Sequence, residues 1–257
     1  MTVAGDIALP GGLALAPQWL AFVVSGLIAA GIVKGATGLG YASAALPFLV
    51  ATLGLKPGMA LVLAPAMATN IAVALGAGQL RQTARMFWPL YLAMLPGIAG
   101  GLFLLTLVEA HRAVGVLAIT IVAYAAYGLW RPDARLPHRL ARMLKAPVGL
   151  ASGLVTGLTG SQVMPLVPYV MAVPMAPAGI VQAINLGVLV ASAALAVGLV
   201  LSATTPASLL ALSLAAIPPA LVGVEIGRRL RPLIPETRFR QLVLAVLMAS
   251  GLAMLAR

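Results

Sequence analysis

The residues best suited to chemistry in this chain lie at two glycine-rich interruptions of apolar segments. The first reads Gly35-Ala-Thr-Gly-Leu-Gly-Tyr41, and the second reads Gly157-Leu-Thr-Gly-Ser-Gln162. If these segments enter a membrane, non-helical backbone is tolerated only inside protein or beside a polar cavity, because unpaired N–H and C=O groups are costly in hydrocarbon. Each break ends one half-helix and begins another, whose free N–H groups and positive dipole end suit an anion. The two breaks therefore predict an anion-binding site.

Lys34 is the only basic residue placed deep within an apolar segment. A charge inside a membrane is costly enough to indicate a function by default. No carboxylate lies near Lys34 in the sequence, which favours either an anionic ligand or an uncharged amine. Alternatively, the side chain extends to a nearer membrane surface, as long basic side chains can. We predict that Lys34 is the countercharge of a bound anion.

Amide side chains in the helices after the breaks extend the predicted site. Asn70 follows the first break, and Gln182 and Asn185 follow the second. The alternative role for such amides is hydrogen bonding between helices, worth only about 1 kcal/mol each. No catalytic residue is predicted. The predicted substrate-binding residues are Lys34, Thr37, Gly38, Gly40, Tyr41, Asn70, Thr159, Gly160, Ser161, Gln162, Gln182 and Asn185.

Composition places these residues in a membrane protein. The 257 residues are 62% hydrophobic and 8% charged, whereas soluble domains carry about 25% charged residues. No charged residue occurs from Ala146 to Val224, and one membrane crossing needs only about 20 apolar residues. The net charge of +11 lies in short clusters between apolar runs, which is unlike a nucleic-acid-binding face. Without cysteine, and with His111 and His138 far apart in predicted loops, no metal or other cofactor is expected.

Charge, glycine and proline divide the apolar sequence into ten predicted segments. Those of the first half are Gln18 to Gly35, Gly40 to Leu53, Pro57 to Gly78, Phe87 to Val108 and Ala113 to Leu129. Those of the second half are Pro147 to Thr159, Val163 to Val173, Pro177 to Leu201, Pro206 to Gly227 and Phe239 to Leu255. A basic cytoplasmic linker, residues 131–146, separates a first repeat, 1–130, from a second, 147–257. Because no Lys or Arg precedes Lys34, we expect the first segment to be mature structure rather than a cleaved signal.

The halves share three short sequence matches in the same order. The matched pairs are Gly31 to Gly38 with Gly153 to Gly160, Pro47-Phe-Leu-Val with Pro168-Tyr-Val-Met, and Lys56-Pro57 with Ala176-Pro177. Ordered matches of this kind predict a duplication. The alternative is coincidence, since the chain holds 27 glycines.

Loop charge predicts that the two repeats are inverted. Short cytoplasmic loops are rich in Lys and Arg, and three stretches qualify: Arg81 to Arg85, Arg131 to Lys145, and Arg228 to Arg240. The uncharged stretch between the last two is too long for two spans and too short for four. Its first two segments would each extend less than about 20 Å as helix, so they form a re-entrant hairpin. We predict an all-α polytopic membrane fold of two inverted repeats, each a broken or re-entrant helical hairpin plus three transmembrane helices.

Glycines at four-residue spacing predict close contacts between helices, because small residues let helix backbones approach each other. These series are Gly31 and Gly35, then Gly149, Gly153 and Gly157, then Gly223 and Gly227. We interpret them as packing positions rather than as site residues.

Several of these motifs also carry a resemblance that covers nearly the whole chain. They are the break from Gly31 to Gly40 followed by Pro47-Phe-Leu, the turn Leu55-Lys-Pro-Gly58, the pair Thr69-Asn70, and the echo from Gly153 to Gly160. With them the chain resembles the TauE/SafE family of sulfite exporters, also called toluene sulfonate uptake permeases. The resemblance implies export or uptake of small anions such as sulfite, sulfoacetate or related sulfonates. Ser161-Gln162-Val163-Met164 departs from the glycine run common in the family at the second break.

These features predict a secondary transporter that exports small organic or sulfur-containing anions. In alternating access, one repeat rocks against the other around an anion held at both breaks near mid-membrane. An interior potential of about −100 mV favours export of each negative charge by about 2.3 kcal/mol. The alternatives are a passive anion channel, a partner-binding membrane protein and an intramembrane enzyme. An enzyme would need an activated nucleophile, and Ser161 has no predicted base except Lys34 across the hairpin contact.

The same features predict the surroundings of the protein. We expect a multi-pass protein of a bacterial-type cytoplasmic (inner) membrane, in contact with membrane lipid and a small anionic substrate, and without a nucleic-acid partner. The sequence does not determine the oligomeric state, so a homodimer stays open.

Overall fold

The computed structural model describes residues 7–9, 13–130, 135–202, 206–233 and 236–256, and most of them are helical. Near the amino terminus, strands β1 (Ile7–Leu9) and β2 (Leu13–Leu15) pair antiparallel. Within the described ranges, six helical stretches are long and apolar enough to cross a membrane. Apart from the short hairpin, the predicted all-α polytopic class is confirmed, and the chain is a multi-pass membrane protein.

The first half contains five helices close to the predicted segments. They are α1 (Pro17–Thr37), α2 (Tyr41–Leu53), α3 (Leu55–Ala77), α4 (Leu80–Leu107) and α5 (Ala110–Trp130). The largest difference is in α4, which begins at Leu80 rather than Phe87. The stretch from Arg81 to Arg85, predicted as a loop, is therefore helical, because Arg and Gln are good helix formers and extend an apolar helix beyond its hydrophobic part.

The second half contains seven helices. They are α6 (His138–Met143), α7 (Lys145–Thr159), α8 (Leu166–Ala172), α9 (Pro177–Leu201), α10 (Ala207–Ala215), α11 (Ile217–Leu230) and α12 (Glu236–Leu255). Only α9 has the predicted bounds. Helix α6 lies inside the predicted linker, of which residues 131–134 fall outside the described ranges. The expected segment from Pro206 to Gly227 divides at Ala216, since Pro218 and Pro219 follow and proline cannot continue a helix's hydrogen bonds.

The contacts between helices follow a similar pattern in the two halves of the chain. By the sequence matches, α7 is the counterpart of α1 and α9 that of α3, and α12 corresponds to α5 as the last helix of its half. Helix α1 packs along α11, whereas its counterpart α7 packs along α4. The pairs α3 with α9 and α5 with α12 each join two counterparts. The division into two repeats, residues 1–130 and 147–257, stays a prediction. The opposite orientation of the repeats in the membrane stays a prediction.

Glycines bring the backbones of α4 and α7 into direct contact. A Cβ added at Gly153 of α7 would lie 2.2 Å from the carbonyl oxygen of Met94, and one at Gly101 of α4 would lie 2.2 Å from that of Leu154. Gly149 and Gly157 on α7 and Gly97 on α4 are equally close to the opposite helix. The predicted packing role of the α7 glycines agrees with this contact. Sequence reasoning missed Gly97 and Gly101, which have the same four-residue spacing.

The contact between α1 and α11 is built in the same way. A Cβ at Gly35 would lie 2.1 Å from the carbonyl oxygen of Val224, and one at Gly227 would lie 2.2 Å from that of Ile32. Gly31 and Gly223 make the corresponding contacts one turn away. Each of the two closest helix pairs therefore joins a helix from one half of the chain to a helix from the other.

We predict that Gly101→Ala destabilises the protein, because the new methyl group would overlap a backbone carbonyl that cannot rotate away. Overpacking of this kind costs about 1–3 kcal/mol. The melting temperature of the detergent-solubilised protein measures it. Gly100→Ala is the matched control on the same helix, since its Cβ would lie 3.7 Å from Leu154 Cδ1, an ordinary contact. A Gly101→Ala protein that melts with the wild type would contradict backbone contact between α4 and α7.

Candidate functional site

The first helix break lies between α1 and α2. Helix α1 ends at Thr37, and the N–H of Gly38 donates to the carbonyl of Lys34 at 2.7 Å. Gly38 and Gly40 have φ values of 78° and 81°, in the left-handed region that glycine adopts without a steric penalty. The chain thus leaves the helix where the sequence predicts and starts again at Tyr41.

The second break follows α7 and is longer. Helix α7 ends at Thr159, Gly160 has a φ of 75°, and its N–H donates to the carbonyl of Thr156 at 2.8 Å. The chain then stays outside a helix until Leu166. The predicted arm from Val163 to Val173 therefore contributes a shorter helix than expected, because Pro165 disfavours the helical conformation of the residue before it.

Thr37 and Thr159 close the two helix ends with the same hydrogen bonds. Each hydroxyl donates to the carbonyl four residues earlier, at 2.8 Å for Thr37 and 2.7 Å for Thr159. Each also accepts the N–H of the residue two positions later, at 3.1 Å in both cases. The hydroxyl of Thr37 additionally lies 3.0 Å from the carbonyl of Leu39. These bonds hold the shape of the breaks, and their repetition agrees with a duplicated origin.

Lys34 connects three helices through its ammonium group. The side chain is 2% exposed, and Nζ donates to Oδ1 of Asn70 on α3 at 2.7 Å and to Oδ1 of Asn185 on α9. The amide nitrogen of Asn70 donates to the carbonyl of Ala66 at 2.6 Å, and that of Asn185 donates to the carbonyl of Gly38 at 3.1 Å. The ammonium is thus held inside the protein, unlike the alternative in which it reaches the membrane surface. Both amides also make the interhelical bonds that were their alternative role.

The charge of Lys34 is not balanced by a carboxylate in the described part of the chain. Glu109 is exposed and pairs with His111 and Arg112. Glu225 pairs with Arg228 and Arg229 at 2.8 and 2.7 Å. Lysine has three N–H donors, and the described residues supply acceptors for two. A buried ammonium without an opposite charge is unfavourable, so Lys34 is either an uncharged amine, whose two N–H groups the two amides satisfy, or the partner of a bound anion.

A narrow cavity of about 20 Å³ adjoins Nζ of Lys34, which is room for about one water molecule. Its polar lining comes from both breaks and from α3. These lining residues are Lys34, Gly40, Tyr41, Ser43, Asn70 and Gln162. The hydroxyl of Tyr41 is buried and has no hydrogen-bond partner among the described residues, which leaves it free to bind a ligand.

The second break reaches the same cavity through Gln162, and the neighbouring Ser161 contacts the lining residue Ser43. The hydroxyl oxygens of Ser161 and Ser43 lie 3.3 Å apart, and Nε2 of Gln162 donates to the hydroxyl of Ser192 at 2.9 Å. Sequence reasoning missed Ser43 and Ser192. A signal existed for Ser192, because it follows Asn185 by two helical turns and so lies on the same face of α9.

The two breaks lie at different heights along α9. The first contacts Asn185 and the second contacts Ser192, which are separated by about 10 Å along a helix. The breaks therefore share one cavity without meeting tip to tip.

Apart from Gln182, the predicted site residues fall into three groups according to their contacts. Those that line the cavity are Lys34, Gly40, Tyr41, Asn70 and Gln162. Three residues lie behind the lining: Ser161 and Asn185 are hydrogen-bonded to the lining residues Ser43 and Lys34, and the carbonyl of Gly38 accepts from Asn185. Those that shape the breaks are Thr37, Thr159 and Gly160. Gln182 is fully buried, and neither of its amide atoms has a partner among the described residues. No group of three or more His, Cys, Asp or Glu suited to a metal ion occurs in these residues.

Comparison with known proteins gives one match of nearly full length. A family model described as sulfite exporter TauE/SafE matches residues 22–254. No curated protein and no solved structure shows a significant match.

We predict that Thr159→Val destabilises the protein by about 1–3 kcal/mol, the cost of leaving a buried N–H, here that of Ser161, without its acceptor. Valine keeps the branched shape of threonine, so packing changes little. Thr159→Ser is the matched control because it keeps the hydroxyl. The melting temperatures of both purified variants measure the effect, and equal stability of the two would show that this hydroxyl does not hold the break.

Proposed function

Because the chain belongs to the TauE/SafE sulfite exporter family, a family of membrane transporters for sulfite or related anions, we propose that it is a secondary transporter of small organic or sulfur-containing anions. The proposed direction is export, across a bacterial-type cytoplasmic membrane. An interior potential of about −100 mV would favour export of each net negative charge by about 2.3 kcal/mol.

The observation that carries this proposal is the buried ammonium of Lys34. Its two acceptors, Asn70 and Asn185, are neutral amides, and it lines a cavity between two helix breaks. Neutral amides orient an ammonium without cancelling its charge. A small anion in the cavity would supply the missing charge and accept the third N–H.

The remaining site residues have separate proposed roles. Tyr41 offers a free hydroxyl, and Gln162 offers an amide at the cavity wall. Thr37 and Thr159 hold the helix ends that shape the site. Gln182 lies one turn before Asn185 on α9, where a passing anion would satisfy its amide.

The glycine contacts suggest which parts of the transporter move. Rocking of one sequence repeat against the other would separate α1 from α11 and α4 from α7, which are the closest backbone contacts in the molecule. We propose instead that these two mixed pairs move as rigid units. Helices α3 and α9, which carry Asn70 and Asn185, lie against both units and would respond to the anion.

We predict that Lys34→Met lowers anion flux into proteoliposomes at least tenfold, because a hydrogen bond to a charged group contributes about 1.5–3 kcal/mol. Flux of radiolabelled sulfite, sulfoacetate and acetate measures the effect. Lys56→Met is the matched control, since it removes the same charge from an exposed position at the start of α3. Equal flux through the Lys34→Met protein and the wild type would refute the countercharge role.

Asn70→Asp provides a second variant that keeps Lys34 in place. A carboxylate at the 2.7 Å contact would neutralise the ammonium from within the protein. Anion flux should fall, whereas the new ion pair is offset by loss of the N–H that donates to the carbonyl of Ala66, so flux rather than stability measures the effect. If flux were unchanged, an anionic ligand would not use this charge.

We predict that a disulfide between the breaks stops transport. The hydroxyls of Ser43 and Ser161 lie 3.3 Å apart, so Ser43→Cys with Ser161→Cys is placed to form a disulfide, and the natural chain has no competing cysteine. The oxidised protein should lose flux because α2 and the second break could no longer separate, and reduction should restore it.

The matched control joins two helices within one proposed rigid unit. Gly100→Cys with Leu154→Cys tests the contact between α4 and α7, where a Cβ added at Gly100 would lie 3.7 Å from Leu154 Cδ1, and loss of free thiol on oxidation checks that the disulfide has formed. Its oxidation should leave flux unchanged.

A carrier should also show counterflow of labelled anion against an unlabelled excess. Linear, non-saturating flux without counterflow would indicate a passive anion channel instead.

A further inference from the structure

One face of α4 carries two arginines followed by an exposed apolar stripe. Arg81 and Arg85 are one turn apart near the start of the helix. The same face continues, at spacings of three and four residues, with Trp88, Leu92 and Leu95. These three side chains are 58%, 54% and 41% exposed. The face therefore changes from cationic to apolar within one helical turn.

The two guanidinium groups have no ion-pair partner among the described residues. The carboxylates of Glu109 and Glu225 pair with basic residues beside them in the sequence, and no Asp or Glu occurs between Asp6 and Glu109. Arginine presents a planar fork of N–H donors that matches the geometry of a phosphate group. Two such forks one turn apart therefore suit a phosphate.

An open recess of about 520 Å³ lies beside these arginines. Its lining consists of Arg81, Gln82, Arg85 and Met86. Lys145 of α7 adds a third positive charge next to the recess, because its Nζ donates to the carbonyl of Met86 at 2.6 Å and lies 5.6 Å from the ring centre of Phe87. The recess shares no lining residue with the cavity beside Lys34, so it is a separate candidate site.

The length of this face of α4 matches one half of a membrane. Arg85 and Leu95 are about 15 Å apart along the helix axis, and the hydrocarbon of one leaflet is also about 15 Å thick. The arginines belong to a predicted cytoplasmic stretch, and anionic phospholipids give the cytoplasmic leaflet its negative surface potential. Tryptophan is enriched at the level of the head groups, which is where Trp88 would lie. A phospholipid aligned with α4 would therefore place its phosphate at the arginines and an acyl chain along the apolar stripe.

We propose that the recess beside Arg81 and Arg85 binds the head group of an anionic phospholipid of the cytoplasmic leaflet. The arginines hold the phosphate, and an acyl chain covers Trp88, Leu92 and Leu95. Because α4 and α7 are in backbone contact, the lipid lies against one of the two proposed rigid units. The inference does not depend on which anion is transported.

Bromine-labelled lipids test the proposal, because bromine quenches the fluorescence of a tryptophan that it contacts. The full-length protein with Trp19→Phe and Trp130→Phe keeps Trp88 as its one tryptophan, since the sequence holds three. It is reconstituted in phosphatidylcholine vesicles that contain increasing amounts of either brominated phosphatidylglycerol or brominated phosphatidylcholine. Two basic residues near the membrane surface should favour the anionic lipid about 30-fold at this site. Phosphatidylglycerol should therefore quench Trp88 at a far lower mole fraction than phosphatidylcholine.

Arg81→Gln with Arg85→Gln, made in the single-tryptophan protein, assigns the preference to this site. Glutamine keeps a polar side chain without the charge, so the two lipids should then quench Trp88 about equally. The matched control is Arg228→Gln with Arg229→Gln, which removes the same charge from arginines that already pair with Glu225. The control should keep the preference for phosphatidylglycerol within twofold, and the melting temperature of each variant checks that it is folded.

Three results would overturn the inference. The first is equal quenching by the two lipids in the single-tryptophan protein, and the second is an unchanged preference after both arginines are replaced. The third is loss of the quenching by phosphatidylglycerol when inorganic phosphate is added, which would show that the recess binds a free anion rather than a lipid. None of these measurements uses anion flux, so failure of the lipid site would leave the proposed transport function intact.

Discussion

The ammonium of Lys34, buried between two asparagine amides, is the interaction on which the rest of the structure depends. Burying this charge requires acceptors from α3 and α9 at once, so the two counterpart helices must converge at the end of α1. The carbonyl of Gly38, exposed by the break, holds the second asparagine in place. Because the acceptors are neutral, they orient the charge and leave it available. The buried amine of Lys34 thus joins two helices at the break and carries the proposed affinity for an anion.

Backbone contact at glycine positions is the second constraint, and it limits how the protein can move. In a membrane, helices associate through close packing rather than through exclusion of water, and added methyl groups at these glycines would overlap opposing carbonyls. Each of these contacts joins a helix of one half of the chain to a helix of the other half, since α1 packs along α11 and α7 packs along α4. The halves are therefore interlocked, and a duplicated sequence does not imply that the duplicates are the moving units. In the proposed mechanism, the residues around the breaks would separate instead, because their side chains meet through hydrogen bonds rather than through backbone contact.

Much of the architecture follows from local sequence signals. Apolar length predicts α9 to the residue, and the glycine runs predict where α1 and α7 end, because a left-handed φ is favourable for glycine. Local sequence signals predict helix boundaries less well where contacts with neighbouring segments determine them. Helix α6 forms inside a polar, basic stretch, and Arg81 to Arg85 extend α4. Proline residues shorten α8 and separate α10 from α11. A hydropathy pattern does not reveal these boundaries, because it contains no information about backbone hydrogen bonding or conformation.

The sequence by itself determined the membrane class, the two breaks and the isolated charge of Lys34, because hydropathy, glycine spacing and charge are properties of short stretches of chain. Tertiary structure alone decided that Asn70 and Asn185 share this charge, that Ser43 meets Ser161, and that Gly101 faces the backbone of α7. These contacts join residues far apart in the chain, and no local pattern encodes the distance between them. Thr37 and Thr159 likewise became recognisable as helix-end caps only when their hydroxyl partners were known. Residue type thus indicates which side chains could form a site, whereas the packing of helices that are distant in sequence determines which of those side chains lie close together.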